Sequence, residues 1–386
     1  MSINSSINKY LRKRAIIKAV ENLSENSHFQ NYVVIPVLAE YDSLLQTLLS
    51  LSKNKPKKVL SETSIILVIN NRKNALKKEI ADNQRLLFDL KSYSYINPDL
   101  LNIGWIDLSS PKKELPDNRG IGLARKIGMD SALQLIAEDF SSEKVPCLFS
   151  LDADTIVEEN YIVAARKALL YSGSFGGVIS FKHQSAKNKE QQRAIDEYEC
   201  FMDHYVENLK RIGSPYAYHS MGSAIVCTAK GYAKAAGMHA KKTAGEDFYF
   251  LENLQKNGGV KEITSTKVFP SSRISVRNPF GTGIRIKQYC KGTPFEHYPK
   301  EAFDTLKVLF SIIKTNPNIS GKGCLSKIDN KILKNFLIES GFAESWDKIR
   351  DNHTEKVARE NEFHRWFDAL KTLRFIRLFT LLKHLD

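Results

Sequence analysis

The sequence predicts an α/β fold: a mostly parallel central sheet covered by helices, followed by a helical C-terminal region. Three observations carry this. Short apolar, β-branched runs alternate with longer stretches of helical period; the runs end in polar or acidic residues; and the last third is basic and helical in pattern. Strands separated by helices favour parallel pairing with both faces buried, and right-handed crossovers then bring the strand ends to one rim.

Taken in order, residues 1–29 read as a helical extension. Tyr32 to Leu38 is the first strand, ending at Pro36, and Ser43 to Leu51 the helix behind it. Ser64 to Ile69 is the second strand, ending at Asn70 and Asn71, with a charged helix from Asn74 to about Leu90. Ile103 to Leu108 is a third strand, and the Pro-containing loop Ser109 to Asp117 leads to Asn118 and a helix from Ile121 to Glu138. Cys147 to Leu151 is short, apolar and preceded by Pro146, which favours an interior strand over a helix. A helix from about Glu159 to Leu170 follows. Beyond it come a Gly-rich strand within Gly173 to Phe181, a long helix over Lys187 to Arg211, and an apolar run from Met221 to Thr228 with an Ala-rich helix to Gly237. Past Ser271 the pattern is loop-like to Pro299, then helical to the end.

Composition bounds the function. The chain has 386 residues, 42% hydrophobic and 26% charged, as expected of a globular protein. No apolar run approaches the roughly 20 residues of a membrane helix, and Ala15 to Val20, broken by Lys18, makes a poor signal peptide. Five scattered cysteines, Cys147, Cys200, Cys227, Cys290 and Cys324, form no CxxC pair, which argues for reduced thiols in a cytosol rather than for disulfides or zinc. The net charge of +14 implies an anionic partner. The absence of a zinc-finger or RNP-type string speaks against nucleic acid. Phe363 to Leu385 is a basic amphipathic helix, fit to dock on the protein's own core or to lie peripherally on an anionic membrane surface at its inner face.

The chemistry concentrates at Asp152 and Asp154. Carboxylates just past a buried strand lie at the edge where open α/β folds place ligands. Two of them spaced i, i+2 on an extended backbone point the same way and can hold Mg2+ or Mn2+ against a diphosphate. The bland alternative is a helix cap or a solvated turn. A second acidic pair, Glu246 and Asp247, opens an amphipathic segment, where a carboxylate is equally explained by the helix dipole. The basic, Gly-bearing loop from Arg273 to Gly283, with Arg277 at its centre, suits a lid over a diphosphate or an ordinary surface loop. His297, and more weakly His219, are candidates for a further metal ligand.

Tyr32-Val-Val-Ile-Pro-Val with Glu40 after it, Asn118-Arg-Gly-Ile-Gly-Leu-Ala-Arg125, Leu151-Asp-Ala-Asp154, Met221-Gly-Ser-Ala-Ile-Val and Gly245-Glu-Asp247 stand in an order that resembles family-2 glycosyltransferases of the GT-A, Rossmann-like fold. The resemblance covers about residues 30 to 270. It implies a nucleotide-binding half to about residue 155 and an acceptor half beyond it, with 271–386 as a separate loop and helical region. It further implies a nucleotide-sugar donor, a divalent cation at the DxD, and inverting transfer to a hydroxyl of a glycan or lipid-linked acceptor, as in cell-surface polysaccharide biosynthesis. Residue by residue, it places Pro36, Glu40, Asn118 and Arg125 at the donor, Asp152 on the ribose or a metal-bound water, Asp154 on the metal, and Asp247, or else Glu246, as the base. Asn70 and Asn71 depart from the acidic residues that usually contact the base there, though an amide can still hydrogen-bond a base or ribose. Bland roles for Asn118 and Arg125 are a helix N-cap and a surface residue.

Other classes fit less well. Gly120-Ile-Gly122 is followed by Arg125 where a dinucleotide fingerprint wants Gly or Ala, and Gly321-Lys-Gly-Cys lacks Walker spacing. Leu151-Asp-Ala-Asp-Thr155 also resembles the first motif of haloacid dehalogenase-like phosphatases, with Asp152 as nucleophile, but that motif usually opens its domain. A non-catalytic nucleotide-sugar or glycan-binding module is the third reading.

Overall fold

The computed structural model describes residues 3–23, 29–96, 100–139, 145–240, 245–274 and 282–383. The chain divides into two compact units: residues 1–195 with 220–292, and residues 196–219 with 293–386.

The first unit holds all eight strands: β1 (Asn31–Val37), β2 (Thr63–Asn70), β3 (Asn102–Leu108), β4 (Cys147–Ser150), β5 (Ile156–Val157), β6 (Gly176–Phe181), β7 (Ile225–Thr228) and β8 (Val260–Phe269). Its helices are α1 (Ile3–Arg14), α2 (Tyr41–Ser52), α3 (Lys58–Ser61), α4 (Lys77–Lys91), α5 (Ile121–Glu138), α6 (Tyr161–Ser172), the first turns of α7 (Lys189–Arg211), α8 (Ala229–Lys234), α9 (Glu246–Gly258) and α10 (Thr282–Tyr289).

The sheet order is β3-β2-β1-β4-β7-β6-β8-β5. Pairing is parallel from β3 through β4 and again between β6 and β8, and antiparallel at β4–β7, β6–β7 and β5–β8. The α/β class with a mostly parallel, helix-covered sheet is therefore the observed one. Val33, Val34 and Ile35 of β1 are fully buried, as are Ile66, Leu67 and Val68 of β2, because helices cover both faces. The ladder between β1 and β4 ends at Val34 and Ser150, so Pro36, which lacks an N–H, stands beyond it.

Helix α5 is buried along most of its length. Gly128 permits this, since a Cβ there would lie 2.4 Å from a Val34 methyl and 2.6 Å from one of Val68. The N-terminal helix is fastened to α5 through buried Asp130, whose carboxylate accepts from Tyr10 (2.6 Å), Tyr232 (2.7 Å) and the Ile16 amide (2.7 Å) and pairs with Lys126 (2.7 Å).

The second unit is helical: the rest of α7, then α11 (Lys300–Thr315), α12 (Gly321–Ser326), α13 (Lys331–Glu339), α14 (Phe342–Asn352), α15 (Lys356–Trp366) and α16 (Ala369–Lys383). Phe375, Ile376 and Phe379 of α16 join its aromatic core with Phe303, Trp346, Phe363 and Phe367, so the amphipathic C-terminal helix docks its apolar face on its own unit. Basic and acidic residues balance in this unit, and the whole excess of +14 falls in the first. Among the described residues no helix is long and apolar enough to cross a membrane. Cys147, Cys227 and Cys324 are buried and all five cysteines are free.

Candidate active site

Parallel pairing puts the carboxyl ends of β1, β2, β3 and β4 on one rim. At β3, Asp107 accepts from the amides of Ser109 and Ser110 (both 3.0 Å) and pairs with Lys113 (3.2 Å). Burial raises its pKa, but those bonds together outweigh burial and hold it at about 2. Asp107 thus shapes its loop.

After β4 the backbone does not run on extended as the spacing suggested. It turns, with the Thr155 amide donating to the Asp152 carbonyl (3.1 Å). The turn is clamped from both sides: Thr47 Oγ1 donates to the Ala153 carbonyl (2.9 Å), and Gln184 Nε2 donates to those of Asp154 (2.8 Å) and Phe269 (2.7 Å). In consequence Asp152 and Asp154 meet different arginines while still feeling each other's charge.

Arg125, on the second turn of α5, is 2% exposed and donates from Nη2 to Asp152 Oδ1 (2.6 Å) and from Nη1 to Glu246 Oε1. Gly222 makes room, since a Cβ there would stand 2.9 Å from Nη2. Arg125 is no surface residue, and in this structure its two terminal nitrogens are held by carboxylates. It ties the turn after β4 to the start of α9.

Helix α9 begins after Gly245, whose φ of +106° suits glycine. Glu246 is buried on Arg125. Asp247 is half-buried, with Oδ1 accepting from the Phe248 amide (2.8 Å). Burial, then the neighbouring Glu246, push its pKa up to about 6, with Arg125 pulling the other way. Asp154 is likewise pushed up to about 6, chiefly by burial, with Arg273 opposing and Asp152 and Glu40 adding. The Asp152 carboxylate raises both groups, so three acids share one field. A carboxylate titrating near 6 is poised for proton abstraction close to neutrality.

Sequence reading did not single out Arg273. Its guanidinium grips buried Glu40 through both nitrogens, Nη1 to Oε2 at 2.6 Å, and Nη2 also lies 3.0 Å from Asp154 Oδ2. Glu40 and Arg273 are 233 positions apart, and no local signal links them.

The remaining candidates divide. Pro36 is buried within β1. Asn70 and Asn71 are buried and spend their amide donors internally, Asn70 on the carbonyls of Val37 (2.9 Å) and Val68 (3.0 Å), Asn71 on that of Arg72 (3.1 Å). Asn83 in turn donates to the Asn70 carbonyl and to Asn71 Oδ1 (both 3.0 Å). The two asparagines therefore knit the strand end together, Asn70 with both of its amide N–H groups and Asn71 with one. Asn118 is exposed in the turn before α5, and the N-cap is Gly120, so Asn118 is not the cap. Arg277 lies outside the described residues. His297 belongs to the second unit, edge-on to His204, and His219 pairs there with Asp203 at 2.9 Å.

Asp152 and Asp154 offer the hard oxygen donors that Mg2+ and Mn2+ take, and such ions are commonly held by one or two carboxylates plus substrate phosphates. Among the described residues no three His, Cys, Asp or Glu side chains gather into an all-protein cage. The donor set fits a cation of the first kind, and Arg273 already places positive charge against it.

No family model matches the chain, and no curated protein matches it. Similar solved structures include S. aureus TarS 1-349 in complex with UDP-GlcNAc, at 11% identity and TM-score 0.42, covering 87% of this chain and 90% of that one. Mannosyltransferase PcManGT from Pyrobaculum calidifontis, in complex with GDP-Man and Mn2+, is similar at 12% identity and TM-score 0.42, covering 95% of this chain and 94% of that one. GalNAc-T7 with UDP, GalNAc and Mn2+ is similar at 14% identity and TM-score 0.41, covering 82% of this chain and 55% of that one. Likeness at this level transfers no residue role, and the functional reading stands on this chain's own residues.

Proposed function

We propose that the protein is a glycosyltransferase of GT-A type that moves a sugar from a nucleotide-sugar donor to an acceptor hydroxyl, with inversion, in glycan or cell-surface polysaccharide biosynthesis. One observation carries the reading: Arg125 bonds Asp152 and Glu246, so the turn that bears Asp152 and Asp154 is tied to the start of α9, where Asp247 lies close enough to feel the Asp152 charge.

Asp154, with Asp152, would hold Mg2+ or Mn2+, which when bound neutralises charge on the departing diphosphate. Asp247 takes the proton of the acceptor hydroxyl. Its raised pKa gives it basicity matched to the task, and base catalysis of this sort contributes about 10²- to 10⁴-fold. Arg125 is a positioning residue that fixes Asp152 and the start of α9 to one frame, and Glu246 serves as its anchor instead of as the base. Nucleotide contacts fall to groups other than the Asn70 amide donors. The phosphatase reading would need Asp152 free to attack phosphorus, whereas its Oδ1 is held by a buried guanidinium.

The test is a panel of UDP-, GDP- and dTDP-sugars with Mn2+, scored by slow donor hydrolysis and by thermal stabilisation. One donor should respond, and Asp154→Asn should abolish the response. If every donor leaves both readouts unchanged, or aryl phosphate is hydrolysed through an aspartyl phosphate at Asp152, the proposal falls.

A further inference from the structure

The ion pair between Arg273 and Glu40 has no part in the mechanism above, and its construction is unusual. Arg273 follows β8 on a segment fixed by its neighbours: Gln191 Nε2 donates to the Ser272 carbonyl (2.5 Å), and Ser272 Oγ donates to that of Ser185 (3.2 Å). The backbone is anchored, yet the side chain is 38% exposed and has room to move. Glu40 is the opposite, 8% exposed and fixed at the end of β1. Between them Arg273 extends one nitrogen to Asp154, the carboxylate that fits a divalent cation.

An oxygen occupied by a guanidinium is not free to ligate a metal, and two positive centres that close repel. We propose that Arg273 is an internal counter-ion of the cation site. Parked on Glu40, it neutralises Asp154 while the site is unloaded, and it must give up Asp154 when a divalent cation arrives. The inference rests on the proposed cation at Asp154. Glu40 is the berth that makes the exchange reversible, because Arg273 keeps a bidentate partner after releasing Asp154. A guanidinium suits this better than an ammonium, since its fork can hold one carboxylate with two nitrogens and still reach another.

The decisive variant removes both charges, Arg273→Gln with Glu40→Gln, which leaves the local net charge unchanged and frees Asp154 without leaving the Glu40 charge buried and unpaired. Mn2+ binding without nucleotide is followed by the electron paramagnetic resonance signal of the free ion, with circular dichroism to verify folding. Loss of a competing ion pair should tighten Mn2+ binding by about fivefold, and adding Asp154→Asn should erase it. Arg273→Lys, which keeps the charge, should stay near wild type. Equal or weaker Mn2+ binding in the double variant overturns the counter-ion while leaving the cation site in place. If neither wild type nor double variant binds Mn2+ even with UDP or GDP added, the cation assignment in the proposed function falls as well, and the counter-ion with it.

Discussion

Replacing Arg125 by Met keeps the aliphatic stem and deletes the charge, leaving Asp152 and buried Glu246 without their shared partner. Breaking a buried pair by removing one member costs about 3–5 kcal/mol, most of it the penalty of a buried charge left uncompensated. Two carboxylates lose a partner here, but Asp152 is 32% exposed at its side chain and water relieves part of its share, so the lower half of that range is expected at pH 7.5. Urea unfolding at pH 7.5, followed by circular dichroism and tryptophan fluorescence, measures it. Adding Glu246→Gln should restore about half of the loss. A cost below about 1 kcal/mol, typical of an exposed pair, would refute the account of Arg125 as the buried tie.

Two further outcomes are expected. Asp247→Asn should lower kcat by about 10²- to 10⁴-fold with little change in donor KM. In the wild type, kcat/KM should fall as pH drops through about 6, where Asp247 takes up a proton; a flat profile there, or a variant that loses donor binding instead of turnover, would remove Asp247 as the base. Gly128→Ala should destabilise the protein by about 1–3 kcal/mol, because the new methyl overlaps Val34 and Val68 in a packed core; thermal unfolding measures this, and trimming Val34 to Ala in the same chain should recover part of the loss.

The first half of the sheet was legible because its signals are local. The strands β1, β2 and β4 are buried on both faces and read as unbroken apolar runs, and α5 keeps the bounds Ile121–Glu138 expected of it. What escaped was non-local. β5 is two residues long, too short for any period, and the register shift of β6 against β8 between Ile179 and Ser180 has no sequence mark. The antiparallel insertion of β7 between β4 and β6 is a matter of topology that no stretch of sequence records. At the site, the acids were legible from their places after a strand and before a helix. Arg125 was named from sequence but its carboxylate partners were not, because helical spacing places it on a turn without saying what covers the turn, and Arg273 carried no local signal. The orientation of Asn70 and Asn71 was not legible either: an amide at a strand end can face outward or back into the sheet, and the bonds to Val37, Val68 and Asn83 set it here.

The charge distribution gives the site its logic. The first unit carries the whole +14, yet its rim gathers Glu40, Asp152, Asp154, Glu246 and Asp247 against two arginines among the described residues. Beyond a Debye length of about 8 Å in physiological salt the individual charges are largely screened, so on the proposed reading a diphosphate would be drawn in by the net positive charge and meet negative charge only at the rim. Raised pKa values at Asp154 and Asp247 are the local symptom of that excess. On the proposed reading a divalent cation reverses the sign of this last step at the DxD turn and leaves Asp247, which pairs with no arginine among the described residues, to face the acceptor. Were Asp247 held in an ion pair as well, it would be a poor proton acceptor. A half-buried carboxylate near its titration point is what separates this arrangement from a structural salt-bridge network.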